Sequence, residues 1–95
     1  MIKVNEYFSG KVKSLALQTT GGPATIGVIL PGEYEFGTAS KEIMHVTAGV
    51  LEAQLPGSTN WVAFKAGEKF EVAKDQKFKV KATGDVAYLC EYVKS

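Results

Sequence analysis

The side chains of this chain that could do chemistry gather between Pro31 and Gly49, in PGEYEFGTASKEIMHVTAG. His45 and Glu42 are the residues there that could begin a metal site. A structural zinc site takes four nitrogen or sulfur ligands, and a catalytic one takes three with an open position. One histidine and one remote cysteine, Cys90, do not supply either set. His45 is also out of phase with Met44 and Val46, so if those two face a core the imidazole points away from it. No metal site and no cofactor is expected.

A second set is aromatic and hydroxylic. Tyr34, Phe36, Thr38, Phe64, Phe70, Tyr88 and Tyr92 occupy inward positions of alternating segments. Phenylalanines in a small barrel are core filler, but a buried phenol requires a hydrogen-bond partner. Three inward tyrosines therefore imply either bonds to main chain or a polar cavity. Such a cavity, with rings for stacking and hydroxyls for hydrogen bonds, suits a small, flat, polar ligand better than a lipid. Cys90 lies on the same face as Tyr88 and Tyr92. With no basic neighbour visible in the sequence it reads as a buried, inert thiol.

Lys77, Lys79 and Lys81 form a row on one strand face, with Lys69 and Lys74 nearby. Same-face residues stand roughly 7 Å apart, close to phosphate spacing. Phe78, however, faces the other way, so no ring shares that face to stack on bases. The row reads as a solvated outer face, where lysine discourages edge-to-edge association.

The elements that must position these residues are strands. No segment carries a 3.6-residue apolar stripe, and glycine interrupts the chain about every ten residues. Ala24, Ile26, Val28 and Leu30 fall on one face of a strand running up to the Pro31-Gly32 turn. Met44 and Val46 alternate with His45 and Thr47 before a break at Gly49. Leu51, Ala53 and Leu55 follow, then the turn residues Pro56 to Asn60. Phe70 with Val72, Phe78 with Val80, and Tyr88 with Cys90 and Tyr92 continue the pattern. Eight to ten short antiparallel strands with regular turns describe an all-β single domain over residues 1–95, a jelly-roll barrel.

Composition sets bounds. The 95 residues carry eleven cations and ten anions, for a net charge of +1, and every cation is lysine. So small a charge gives nucleic acid binding weak support, and an anion must be met by lysine, hydroxyls or backbone N–H groups rather than a guanidinium fork. No apolar run reaches the roughly 18 residues of a membrane span, and MIKVNEYFSG lacks the apolar region of a signal peptide, so a cytoplasmic protein is expected. A domain this small gains from pairing, which makes a homo-oligomer a natural expectation.

The order of turns and faces resembles the cupin superfamily. Glu42 to Gly49 looks like the end of the first cupin motif, with the histidines that normally precede the glutamate replaced by the Phe36 to Thr38 stretch. AGEKFEV through Phe78 is similar to the second motif, again without its histidine. More narrowly, NEYFSGKVKS at 5–14, GEYEFGTA at 32–39, the Met44-Val46-Gly49 frame, Leu55-Pro56, Trp61, AG-x-x-F-x-V at 66–72 and YLC-x-Y at 88–92 resemble the pyrimidine/purine nucleoside phosphorylase family of small bacterial cupins.

That resemblance implies metal-free phosphorolysis of a broad range of nucleosides in a homodimer, with inorganic phosphate as co-substrate. Combined with strand phase, it implies that Tyr34 or Phe36 stacks on the base and that Glu42, Met44 or Thr38 meets the ribose. Tyr88 and Tyr92 then donate to base or phosphate, and Glu68 holds a ribose hydroxyl. Relatives in the family can carry an arginine in the loop matching Thr20 to Ala24 and another at the place of Glu91; this chain has neither. A competing expectation is a non-catalytic cupin that binds a nucleoside or sugar without turning it over. A barrel that binds nucleic acid ranks third.

Overall fold

Period-two alternation organises the described residues into ten strands. The computed structural model describes residues 1–93, and the strands are β1 (Val4–Tyr7), β2 (Val12–Thr19), β3 (Gly22–Ile29), β4 (Gly32–Gly37), β5 (Lys41–Ala48), β6 (Val50–Gln54), β7 (Val62–Lys65), β8 (Lys69–Val72), β9 (Lys77–Ala82) and β10 (Val86–Val93). A single 3-10 turn, Phe8–Gly10, links β1 to β2. Six strands form one antiparallel sheet in the order β1-β2-β3-β10-β5-β8, and four form the second in the order β4-β9-β6-β7. The two sheets face each other as a jelly roll of the cupin type, as the alternation and turn spacing led one to expect.

The core lies between them. Val12, Ile29 and Val46 from the first sheet meet Leu51, Ala53, Phe78 and Val80 from the second, all buried. Each fully buried aliphatic side chain contributes about 1.5–3 kcal/mol. On β9 the alternation is regular, with Phe78, Val80 and Ala82 inward. The lysines of β9 stand outward, opposite Glu33, Glu35 and Glu52 of the neighbouring strands. Lys81 Nζ lies 3.6 Å from Glu52 and 4.5 Å from the centre of the Trp61 ring. The lysine row is thus one stripe of a face on which both signs alternate.

On β3 the apolar alternation points the other way. Thr25, Gly27 and Ile29 face inward, while Ile26, Val28 and Leu30 are exposed at 50%, 48% and 40%. Leu15 of β2 pairs with Ile26 and is itself 44% exposed, and Val4 of β1 pairs with Leu15. The first sheet therefore carries an apolar band across its outer side.

Gly49 carries the chain from β5 in the first sheet to β6 in the second. Its φ is +80°, and a Cβ there would stand 2.5 Å from the Asp85 carbonyl oxygen. Gly57 has nearly the same φ, +79°, with open space around it. Gly57→Ala should therefore cost only the left-handed backbone term, about 1–2 kcal/mol. Gly49→Ala should cost at least about 1 kcal/mol more, because main chain cannot move aside as a side chain can. Urea midpoints of the two variants check this, and equal midpoints would contradict it.

Candidate active site

A cavity of ≈ 310 Å³ opens between the sheets, near the lower end of the range for small-molecule sites. Its floor comes from neighbouring strands of the first sheet. Tyr88, Cys90 and Tyr92 of β10 stand beside Met44 and Glu42 of β5, with Cys90 opposite Met44 and Tyr92 opposite Glu42 in register. Ser14 of β2 and Ile29 of β3 extend it. Phe36 of β4 and Phe78 of β9 close it from the second sheet, and Tyr7 and Phe8 form the rim.

Local structure explains these placements. The β5–β10 pairing shifts register between Ala87 and Tyr88: Ala87 faces Ala48, but Tyr88 faces Val46. Thr47 is the extra residue, a bulge that brings Tyr88 onto the inward side with Val46. Gly27 allows Tyr88 to lie flat across β3, since a Cβ at position 27 would meet the phenol ring at 2.6 Å. Phe8, Ser9 and Gly10 have φ values of 53°, 58° and 87° in succession. Two non-glycine residues in the left-handed region store strain of order 1–3 kcal/mol each. The turn sets the Phe8 ring 4.9 Å from Tyr34 and 5.5 Å from Phe36, leaving it 44% exposed at the rim.

Glu42 is the one carboxylate whose side chain points into the cavity from the sheet floor. Glu35 borders it from the outward side of β4, opposite Lys79. Burial pushes the Glu42 carboxyl above its ordinary range, and the Cys90 thiol, which donates to Glu42 Oε1 at 3.5 Å, works in the other direction. The Cys90 thiol is pushed up by burial and then by the Glu42 charge, so it stays protonated. Burial raises Tyr88 to about 12 and also raises Tyr92, whose hydroxyl lies 3.1 Å from Thr25 Oγ1. The cavity is lined by rings, neutral hydroxyl and thiol groups and two carboxyl groups, Glu42 on its floor and Glu35 at its border, and no lysine, arginine or histidine is among the lining residues.

A family model described as pyrimidine/purine nucleoside phosphorylase matches residues 2–92. A pyrimidine/purine nucleoside phosphorylase of Pseudomonas putida (strain W619) is 64% identical over 92 residues, which cover 97% of this chain and 98% of the relative. The chain belongs to the pyrimidine/purine nucleoside phosphorylase family. A relative of that name from Alcanivorax borkumensis is 60% identical over 92 residues, 97% of this chain and 98% of its own. The crystal structure of a Vibrio parahaemolyticus protein of unknown function is 42% identical and superposes with a TM-score of 0.94, covering 98% of this chain and 99% of that one.

Within this family frame, the structure brings Phe36, Glu42, Met44, Tyr88 and Tyr92 together around one cavity. Three other sequence-derived candidates stand elsewhere. Tyr34 is inward, but its hydroxyl donates to the carbonyls of Leu30 and Pro31, at 2.8 and 3.2 Å. Thr38 donates to the Ala73 carbonyl at 2.7 Å and accepts from Gln76 N–H. Glu68 is exposed and accepts from Lys65 N–H at 2.8 Å, closing the turn before β8. The inward tyrosines thus divide between the two alternatives, with Tyr34 bonded to main chain and Tyr88 and Tyr92 facing a cavity.

His45 points outward and pairs with Glu91 on the outer side of the first sheet. The charge at position 91 accordingly lies across the sheet from the cavity. Among the described residues no three His, Cys, Asp or Glu side chains come together. Sequence reasoning missed Tyr7, Phe8 and Ser14. Their signal was faint, because a left-handed phenylalanine has no sequence signature and the leucines of β2 face outward.

The Glu42 environment has a consequence for stability. A carboxyl raised above its unfolded value, ordinarily 4.5, contributes stability below that pH, and the contribution is lost as pH rises through the folded value. Glu42→Gln stays neutral and keeps the shape. It should melt above the parent protein at pH 8, with the gap closing toward pH 4. An unchanged gap across that range would contradict the assignment.

Proposed function

We propose that this protein cleaves the N-glycosidic bond of nucleosides by phosphorolysis, giving free base and pentose 1-phosphate. The observation that carries the reading is the match to the pyrimidine/purine nucleoside phosphorylase family over residues 2–92, supported by curated relatives of that name at 60–64% identity. The cavity is consistent with it. Phe8 and Phe36 offer ring faces to a base of either class, which needs no base-specific hydrogen bonds and so fits broad specificity. Met44, Glu42, Tyr88 and Tyr92 present the polar and soft surface a pentose requires. Inorganic phosphate is the co-substrate, met by hydroxyls and backbone N–H groups, and the chemistry as proposed uses no metal or other cofactor. The reaction is one of soluble metabolites, in keeping with a cytoplasmic setting.

Purified protein incubated with uridine or adenosine should release base in the presence of phosphate and not in its absence. No phosphate-dependent release from any of several nucleosides would end the enzymatic reading. The lack of a cation at the cavity favours one alternative, a cupin that binds a nucleoside without turning it over. Calorimetric binding of nucleoside that is indifferent to phosphate, with no product formed, would favour that alternative.

The protein acts as a homodimer in this reading, paired through the outer side of the first sheet. The apolar band of Val4, Leu15, Ile26 and Val28 there is the kind of contiguous surface that subunit interfaces bury. The net charge of +1 sets up little repulsion between two copies. Light scattering should give the mass of a dimer, and Ile26→Asp should shift it to that of a monomer. A monomeric parent protein would overturn this.

A further inference from the structure

Breaking a nucleoside's glycosidic bond leaves the bonding electron pair on the base, and proton transfer to the base relieves that charge. Of the two carboxyl groups at the cavity, Glu42 is the one directed into it from the sheet floor, whereas Glu35 stands on the outward side of β4 opposite Lys79. Tyr88, Tyr92 and Cys90 are held protonated by burial and are too weakly acidic to give up a proton near neutrality. We propose that Glu42 is the general acid of the reaction, passing its carboxyl proton to the departing base. The proposal rests on the phosphorolytic reading above.

The electrostatics of the cavity bear on this. A phosphate anion and an ionised carboxylate in ≈ 310 Å³ with no lining cation would repel each other in a weakly screening interior. Binding of phosphate therefore favours the protonated form of Glu42, which is the form that can donate. The groups facing Glu42 from the packed strands act to the same end. Tyr88 and Tyr92 on β10 are neutral, β8 contributes the apolar Val72 opposite Glu42, and Phe36 and Phe78 face it from the second sheet. Glu35 at the rim adds negative charge, and Cys90 alone favours the carboxylate, through its S–H bond.

In the step, an oxygen of hydrogen phosphate forms a bond to the anomeric carbon as the carbon–nitrogen bond breaks. The bonding pair goes to the base, and the Glu42 proton goes to a ring nitrogen or exocyclic oxygen of that base. The pentose phosphate ester forms with its P–OH proton in place. That proton returns to Glu42 directly or through water, so atoms and charge balance with no further reactant.

The test compares adenosine with N7-methylated adenosine, whose cationic base leaves without needing a proton. Glu42→Gln should lower kcat on adenosine by about 10²–10⁴-fold with KM changed only a few-fold, and lower it by less than tenfold on the methylated substrate. Equal losses on the two, or no loss on adenosine, would overturn the assignment. Parent protein that releases no base from either substrate would instead overturn the phosphorolytic reading itself.

A second measurement needs no Glu42 variant. For the parent protein, kcat/KM on adenosine should fall as pH rises through the Glu42 titration, relative to the methylated nucleoside; phosphate ionisation is common to both substrates. Cys90→Ala, by removing the hydrogen bond that favours the carboxylate, should move that fall to higher pH. Parallel profiles for the two substrates would overturn the proposal.

Discussion

Strand β10 is bonded on both sides, to β3 and to β5, and its phase decides what the cavity contains. A strand alternates its side chains between two faces, so a slip of one residue would exchange Tyr88, Cys90 and Tyr92 for Ala87, Leu89 and Glu91. Pairing with β3 fixes the phase on one side, where Tyr88 lies over Gly27. The extra residue at Thr47 reconciles it with β5 on the other. Glu42 acquires its surroundings from the same constraint: only in this phase does the Cys90 thiol reach it.

The sequence was most legible where one strand face is apolar and the other charged. On β9 the lysines alternate with Phe78, Val80 and Ala82, and the buried face could be read without ambiguity. The same rule lost its power on β2 and β3, where Leu15, Leu17, Ile26 and Val28 face outward and Ser14, Thr25 and Gly27 face in. Hydrophobicity says that a surface is removed from water, not whether the domain's own core or another molecule removes it. At the site, phase correctly set Glu42, Met44, Tyr88 and Tyr92 inward. It could not show that Tyr34 and Thr38, equally inward, spend their hydroxyls on main-chain carbonyls. Those bonds depend on where loops return, and a single strand does not encode that.

The two outer faces differ in physical character. That of the second sheet alternates Glu33, Glu35 and Glu52 with Lys79 and Lys81 and stays hydrated. That of the first carries the apolar band of Val4, Leu15, Ile26 and Val28, bordered by the Lys13–Glu6 pair on β1 and β2 and by the His45–Glu91 pair on β5 and β10. The jelly roll thereby sets a charged outer face on one side, a face with an apolar band on the other, and the cavity between them. Burying a carboxyl in that space opposes stability, and a well-filled core elsewhere offsets it.

Gly27 contributes no atom to the lining of the cavity, yet the phenol of Tyr88 rests on its bare backbone. The depth of the pocket is therefore written in a residue that never faces it. Two chains with identical lining side chains would enclose different volumes if one carried alanine at this place, because the ring would be lifted toward the opposite sheet. The volume of such a cavity is gauged from behind the wall, and a comparison restricted to lining residues would overlook a position that bounds it.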